Sequence, residues 1–93
     1  MKEITEQLRL ENHLRRQGWL VFRLKLANQR GWPDVTAVSP TGEWWVVEFK
    51  TVKGKLRPQQ TKLRHLFQKQ QVNWLLATDH AAAAAVMGVP CVG

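Results

Sequence analysis

Ser39-Pro40-Thr41-Gly42 separates two runs of strand character, and this turn constrains the chain more than any other feature. Proline presets φ for a turn and glycine accepts positive φ, so the chain reverses here. Upstream, Asp34 to Val38 follows Pro33, which cannot donate to a sheet and so fits the mouth of a strand. Downstream, Glu43 to Val52 is rich in aromatic and β-branched residues. The two runs read as an antiparallel hairpin. Alternation in the second run puts Val46, Glu48 and Lys50 on one face, with Val47 and Phe49 on the other. A charged pair beside Val46 is costly unless it is used. A hairpin of this kind can bring the Asp34 carboxylate beside that of Glu48.

The rest of the chain reads around that hairpin. Ile4 and Leu8, then Leu10 and Leu14, recur four apart and predict a helix over Glu3–Gln17, ended by Gly18. From Trp19 to Leu26 apolar residues alternate, which is strand periodicity, and Ala27–Trp32 reads as a loop. Lys53–Arg57 is another loop, and Pro58 suits the first turn of a second helix, continued by Leu63, Leu66, Phe67 and Gln70. Val72–Thr78 reads as a short buried strand. Asp79 is an N-cap for an alanine-rich helix ending at Gly88, and Val89–Val92 reads as an edge strand. The expected fold class is α/β: an αβββαβ core with a mixed central sheet flanked by helices, plus a short C-terminal αβ extension. Residues 1–93 are expected to form one domain.

Fourteen Lys and Arg against seven Asp and Glu give a formal net charge of +7, which attracts polyanions, nucleic acid foremost. The basic residues are scattered rather than run together, which argues against a basic membrane-binding segment; a merely solvated surface is the bland alternative. Cys91 is the only cysteine, and His13, His65 and His80 lack ligand-like spacing, so neither an internal disulfide nor a Cys/His zinc site is expected. The chain starts with charged, helix-like sequence, and no stretch is apolar enough for a membrane span, so the expected location is intracellular.

Two carboxylates held close repel, and burying either is expensive without compensation. A divalent cation compensates simply, and Mg²⁺ takes one or two carboxylates plus waters and substrate phosphate oxygens. Asp34 and Glu48 are the candidate ligands. Lys50 is placed to orient a water or offset negative charge. Taken singly, Pro-Asp is usually a turn and Glu-x-Lys an exposed strand pair. It is their order across a hairpin in a basic chain that points to a metal-dependent site for a phosphodiester polymer.

Gly31-Trp32-Pro33-Asp34, then Glu48-Phe49-Lys50, then Gly54-Lys55-Leu56-Arg57-Pro58-Gln59-Gln60 together resemble the virus-type replication-repair nuclease (VRR-NUC) family, a branch of the PD-(D/E)xK nuclease superfamily. The resemblance runs from the first helix to the Val72–Thr78 strand. It implies a restriction-endonuclease-like core, Asp34 and Glu48 as ligands of Mg²⁺ or Mn²⁺, and the backbone carbonyl of Phe49 as a further ligand. Lys50 is implied as the catalytic lysine and Gln60 as a residue supporting the site. A glutamate of the first helix is also implied at the metal. Glu3 shares a stripe with Gln7, Leu10 and Leu14 and is favoured; Glu6 stands second, and Glu11 is expected to face solvent. The resemblance further implies a homodimeric endonuclease acting on branched DNA such as four-way junctions, of viral or mobile-element origin.

The family often has Ser or Thr where Arg57 stands, and Arg57 cannot cap a helix, which puts the start of the second helix in question. Trp32 either packs beneath its loop or stacks on an unpaired base. Trp44 and Trp45 must face opposite sides of the sheet, which leaves one of them for the core and one for a subunit contact. The rival function is a nucleic-acid-binding module of the same fold without catalysis.

Overall fold

The computed structural model describes residues 3–24, 31–51 and 53–91, with the Glu3 side chain left aside. Helix α1 (Glu3–Arg16) is followed by strands β1 (Leu20–Phe22), β2 (Val35–Val38) and β3 (Trp44–Phe49), helix α2 (Pro58–Lys69), strand β4 (Asn73–Ala77) and helix α3 (His80–Val86). The strands form one mixed sheet in the order β1-β2-β3-β4. β1, β2 and β3 are antiparallel neighbours, whereas β4 lies parallel to β3. Parallel neighbours need a crossover, and α2 supplies it.

The two sheet faces differ. Val35, Ala37, Val47, Phe49 and Ala77 pack with Leu10 and Leu14 of α1 and with Ala83, Ala84 and Met87 of α3 in the main core. Thr36, Val46 and Trp74 have the opposite parity and lie in one row across the sheet. That second face meets α2: Arg64 lies over the Trp74 ring at 4.8 Å, and Phe67 meets Trp32 edge-on. α2 reaches β4 but leaves β1 uncovered, so Leu20 is 63% and Trp44 50% exposed, with the Phe22 ring stacked on Trp44 at 5.9 Å. Trp45 takes the other side and packs against the core.

Capping chemistry fixes the ends of the elements. Gly18 at φ 84° closes α1, with the Trp19 N–H donating to Leu14 at 3.0 Å. The expected turn is present: the Gly42 N–H donates to the Ser39 carbonyl at 2.9 Å. Asp79 caps α3 by accepting from the Ala82 N–H at 2.7 Å. α2 begins at Pro58 as expected, because Gln60 reaches back and its Oε1 accepts the Arg57 N–H at 2.8 Å. A side chain three residues into the helix thus supplies the returning half of a capping box, while Arg57 makes no side-chain cap bond.

Several boundaries differ from the sequence reading. β1 spans three residues rather than Trp19–Leu26, since Arg23 leaves the strand to pair with Glu11; residues 25–26 lie outside the described residues. β4 is not a buried strand: it forms the sheet edge, and Leu76 is exposed. Val89–Cys91 forms no strand, because Val89 is tied down on both sides, its N–H to Ala84 at 3.0 Å and its carbonyl to His13 Nε2 at 2.6 Å. Val92 lies outside the described residues. No helix among those described is long and apolar enough to cross a membrane.

Candidate active site

The register puts the two carboxylates on the same face. Val35 pairs with Val47, so the next residues outward, Asp34 and Glu48, stand opposite each other with the parity of Thr36 and Val46. One further out, Pro33 stands opposite Phe49. Phe49 is the kind of residue that exchanges both backbone bonds with its β2 partner, but Pro33 has no N–H to offer its carbonyl. The ladder therefore ends, and the Asp34 side chain takes over: its Oδ2 accepts the Phe49 N–H at 2.8 Å. This is why β2 starts at Val35 and not at Asp34. Asp34 Oδ1 makes no hydrogen bond among the described residues.

Glu48 is 4% exposed and has an interaction partner of its own. Lys50 is half-buried at the end of β3, and its N–H donates to the Ala77 carbonyl at 3.0 Å, which ties the lysine backbone to β4. The following loop closes tightly over its stem; a Cβ on Gly54 would come within 3.3 Å of the Lys50 Cβ. Lys53, Lys55 and Arg57 of that loop are all exposed.

Gly31 brings the Asp34 loop against α2. Its φ is +82°, and a Cβ there would lie 2.9 Å from backbone atoms of Gln59 and Gln60. Gln60 is consequently buried beside this loop, with its Oε1 committed to the Arg57 N–H. Trp32 packs beneath its loop: Nε1 donates to Thr36 Oγ1 at 2.9 Å, and the ring meets Phe67 at 5.1 Å. His65 is exposed on α2.

α1 approaches Asp34 through Gln7, whose Nε2 donates to the Asp34 carbonyl at 3.0 Å. Gln7 also reaches Glu11 Oε2 at 3.4 Å, and Arg23 donates to Glu11 Oε1 through Nε at 3.1 Å and Nη2 at 2.8 Å. Glu11 is fully buried, contrary to the solvent-facing position expected of it. Positions 7, 10, 11 and 14 make one helical stripe, and Leu10 and Leu14 carry Glu11 inward with them. That spacing was the available signal for this Gln7–Glu11–Arg23 link.

Glu6 points elsewhere. Its Oε1 accepts from the backbone N–H of His80 at 3.0 Å and from His80 Nδ1 at 2.8 Å, at the start of α3. Those bonds hold its carboxyl below the ordinary value, against the opposing effect of burial. Glu6 therefore drops out as the first-helix glutamate of the site. Glu3 lies one turn before Gln7, and its side chain is outside the described residues.

The chemistry of the donor set fits a hard divalent cation: the carboxylates of Asp34 and Glu48, at opposed positions in the strand register, and the Phe49 carbonyl are oxygen donors, and Mg²⁺ keeps waters for the rest of its shell. No group of three His, Cys, Asp or Glu side chains gathers for a metal among the described residues. Among solved structures, the chain superposes on one described as a "VRR_NUC domain" with a TM-score of 0.73 and 23% identity, covering 89% of this chain and 95% of that one. The chain has the VRR-NUC fold. No family model matches the sequence, and the comparison with curated proteins gives no match. In this VRR-NUC fold the Asp34–Phe49 contact lies at the ends of β2 and β3, beside the N-terminus of α2.

Proposed function

We propose that the protein is a divalent-metal-dependent DNA nuclease, with residues 1–93 as one nuclease domain. The observation that carries this reading is the Asp34 carboxylate on the Phe49 N–H, which brings the acidic group of β2 to the strand end holding Glu48 and Lys50. Asp34, Glu48 and the Phe49 carbonyl would hold Mg²⁺ or Mn²⁺, with Glu3 as the first-helix ligand. When bound, the ion supplies charge neutralisation at the scissile phosphate and a more acidic water. Lys50 orients the attacking water and offsets charge developing on the phosphate oxygens. Lys53, Lys55 and Arg57 hold the polyanion next to it. Gln60 acts as a positioning residue, fixing the start of α2 against the Asp34 loop. In this reading the protein is a homodimer, with Leu20, Phe22 and Trp44 as the apolar contact, and it acts on branched DNA, because a two-fold dimer presents two sites to a two-fold substrate.

The test is incubation with labelled linear, flap and four-way DNA, with Mg²⁺ or Mn²⁺ and then with chelator. Cutting should need the metal, favour the branched substrate and disappear in Asp34→Ala and Lys50→Ala, both still folded. Wild-type rates in either variant would refute the assignment. DNA binding without metal-dependent cutting would replace it with a non-catalytic nucleic-acid-binding module.

A further inference from the structure

Beside the stripe that enters the core, α1 carries a second one. Arg9, Asn12, His13 and Arg16 recur at i, i+3, i+4 and i+7, and with Gln17 just past the last turn they line a cavity of about 480 Å³ whose opposite wall includes His80. α1 and α3 cover the sheet face away from the Asp34–Glu48 face, so this cavity is separate from the carboxylate site. None of these six side chains is acidic, and those of Arg9, Asn12, Arg16 and Gln17 carry N–H donors.

The groups are held in place by the protein. Glu6, 3% exposed, accepts from His80 Nδ1 at 2.8 Å and lies 3.6 Å from the Arg9 guanidinium, so one buried carboxylate orients two members of the wall. His13 is fixed by its 2.6 Å bond from Nε2 to the Val89 carbonyl. Arg9 keeps a side chain that is 60% exposed, so the Glu6 contact leaves most of its fork open. Two guanidiniums flanked by the Asn12 and Gln17 amides in a recess suit a tetrahedral oxyanion with several acceptor oxygens.

We propose that this cavity is a phosphate-binding site and that the phosphate belongs to the backbone of a nucleic acid, engaged on the face opposite the carboxylates. The site stands on the cavity alone; its assignment to nucleic acid rests on the nuclease reading. A branched substrate can supply such a contact with an arm other than the one being cut.

Two measurements in chelator, where cutting plays no part, test this. The first is an NMR titration with inorganic phosphate, following the Asn12 and Gln17 side-chain amides and the His80 ring. The second is DNA affinity against salt for the wild type and for the double variant R9Q/R16Q, whose two positions are exposed on a helix and tolerate glutamine. Phosphate should shift those signals in the wild type only. The variant should bind DNA at least about fivefold more weakly, with a salt slope lower by about 1.5 to 2. Phosphate shifts with unchanged DNA binding would overturn the backbone as the source and leave a soluble phosphate compound as the ligand. No shift in the wild type, or shifts that survive in R9Q/R16Q, would overturn the site. Loss of DNA affinity in the variant alongside a wild type that never cuts would sink the nuclease reading and leave this one standing.

Discussion

The Asp34 carboxylate accepts the backbone N–H of Phe49 at 2.8 Å, taking the place that the Pro33 carbonyl would hold in a continued ladder. One proline thus ends the β2–β3 pairing, frees the strand edge at Phe49 and fixes the orientation of an acidic side chain. Asparagine at position 34 keeps an oxygen for that N–H and removes only the charge. Asp34→Asn should therefore melt within about 1 kcal/mol of the wild type, while single-turnover cutting falls by about a thousandfold or more. Equal loss of stability and cutting would make the contact structural only.

Gly31 meets two demands at once: positive φ and a close approach to the α2 backbone. Gly31→Ala strains the backbone and drives a methyl group into Gln59 and Gln60. It should cost at least about 2 kcal/mol, read as a fall in Tm of about 8–16 °C. Cutting should fall even at temperatures where the variant is folded, because Gln60 and the Asp34 loop are pushed apart. A wild-type Tm would contradict the packing described.

The Glu6 carboxyl lies below its ordinary value of 4.5, chiefly through the side-chain bond from His80. A depressed carboxyl contributes stability that is fully present above the unfolded value and is lost as pH falls through the folded one. Denaturant titrations of wild type and Glu6→Gln should differ by a constant amount above about pH 5 and converge in more acid solution. A difference that grows on acidification would reverse the sign and contradict the assignment.

On the uncovered part of the sheet, Phe22 stacks on Trp44 next to Leu20. If this strip is the dimer contact, Phe22→Glu places an unpaired charge in it and should shift the mass measured by light scattering from dimer to monomer. A monomeric wild type, or a dimeric Phe22→Glu, would rule the strip out.

The hairpin was legible because Pro33, the Ser39–Gly42 turn and the period-two pattern of β3 all set the same register, and that register alone makes Asp34 face Glu48. α2 was legible from Pro58, although its cap was not: the Arg57 N–H is satisfied by Gln60, a side chain whose role the resemblance placed at the site. Glu11 was misplaced because a carboxylate reads as polar wherever it stands. Its burial depends on Arg23 arriving from beyond the helix, and that is tertiary information, although the Gln7–Glu11 spacing is local. The short β1 has the same cause, since Arg23 gives up its strand position for Glu11. Val89–Val92 carries strand-forming residues, but the bonds from Val89 to Ala84 and His13 take up its backbone first.

The most direct measurement is paramagnetic broadening by Mn²⁺ in amide NMR spectra of the uncut protein without DNA. Broadening should centre on Asp34, Phe49 and Lys50, be reversed by excess Mg²⁺, and vanish in Asp34→Asn. If those amides stay sharp while Mn²⁺ broadens others, or broadening persists unchanged in the variant, the two strands do not share a metal and the account is wrong.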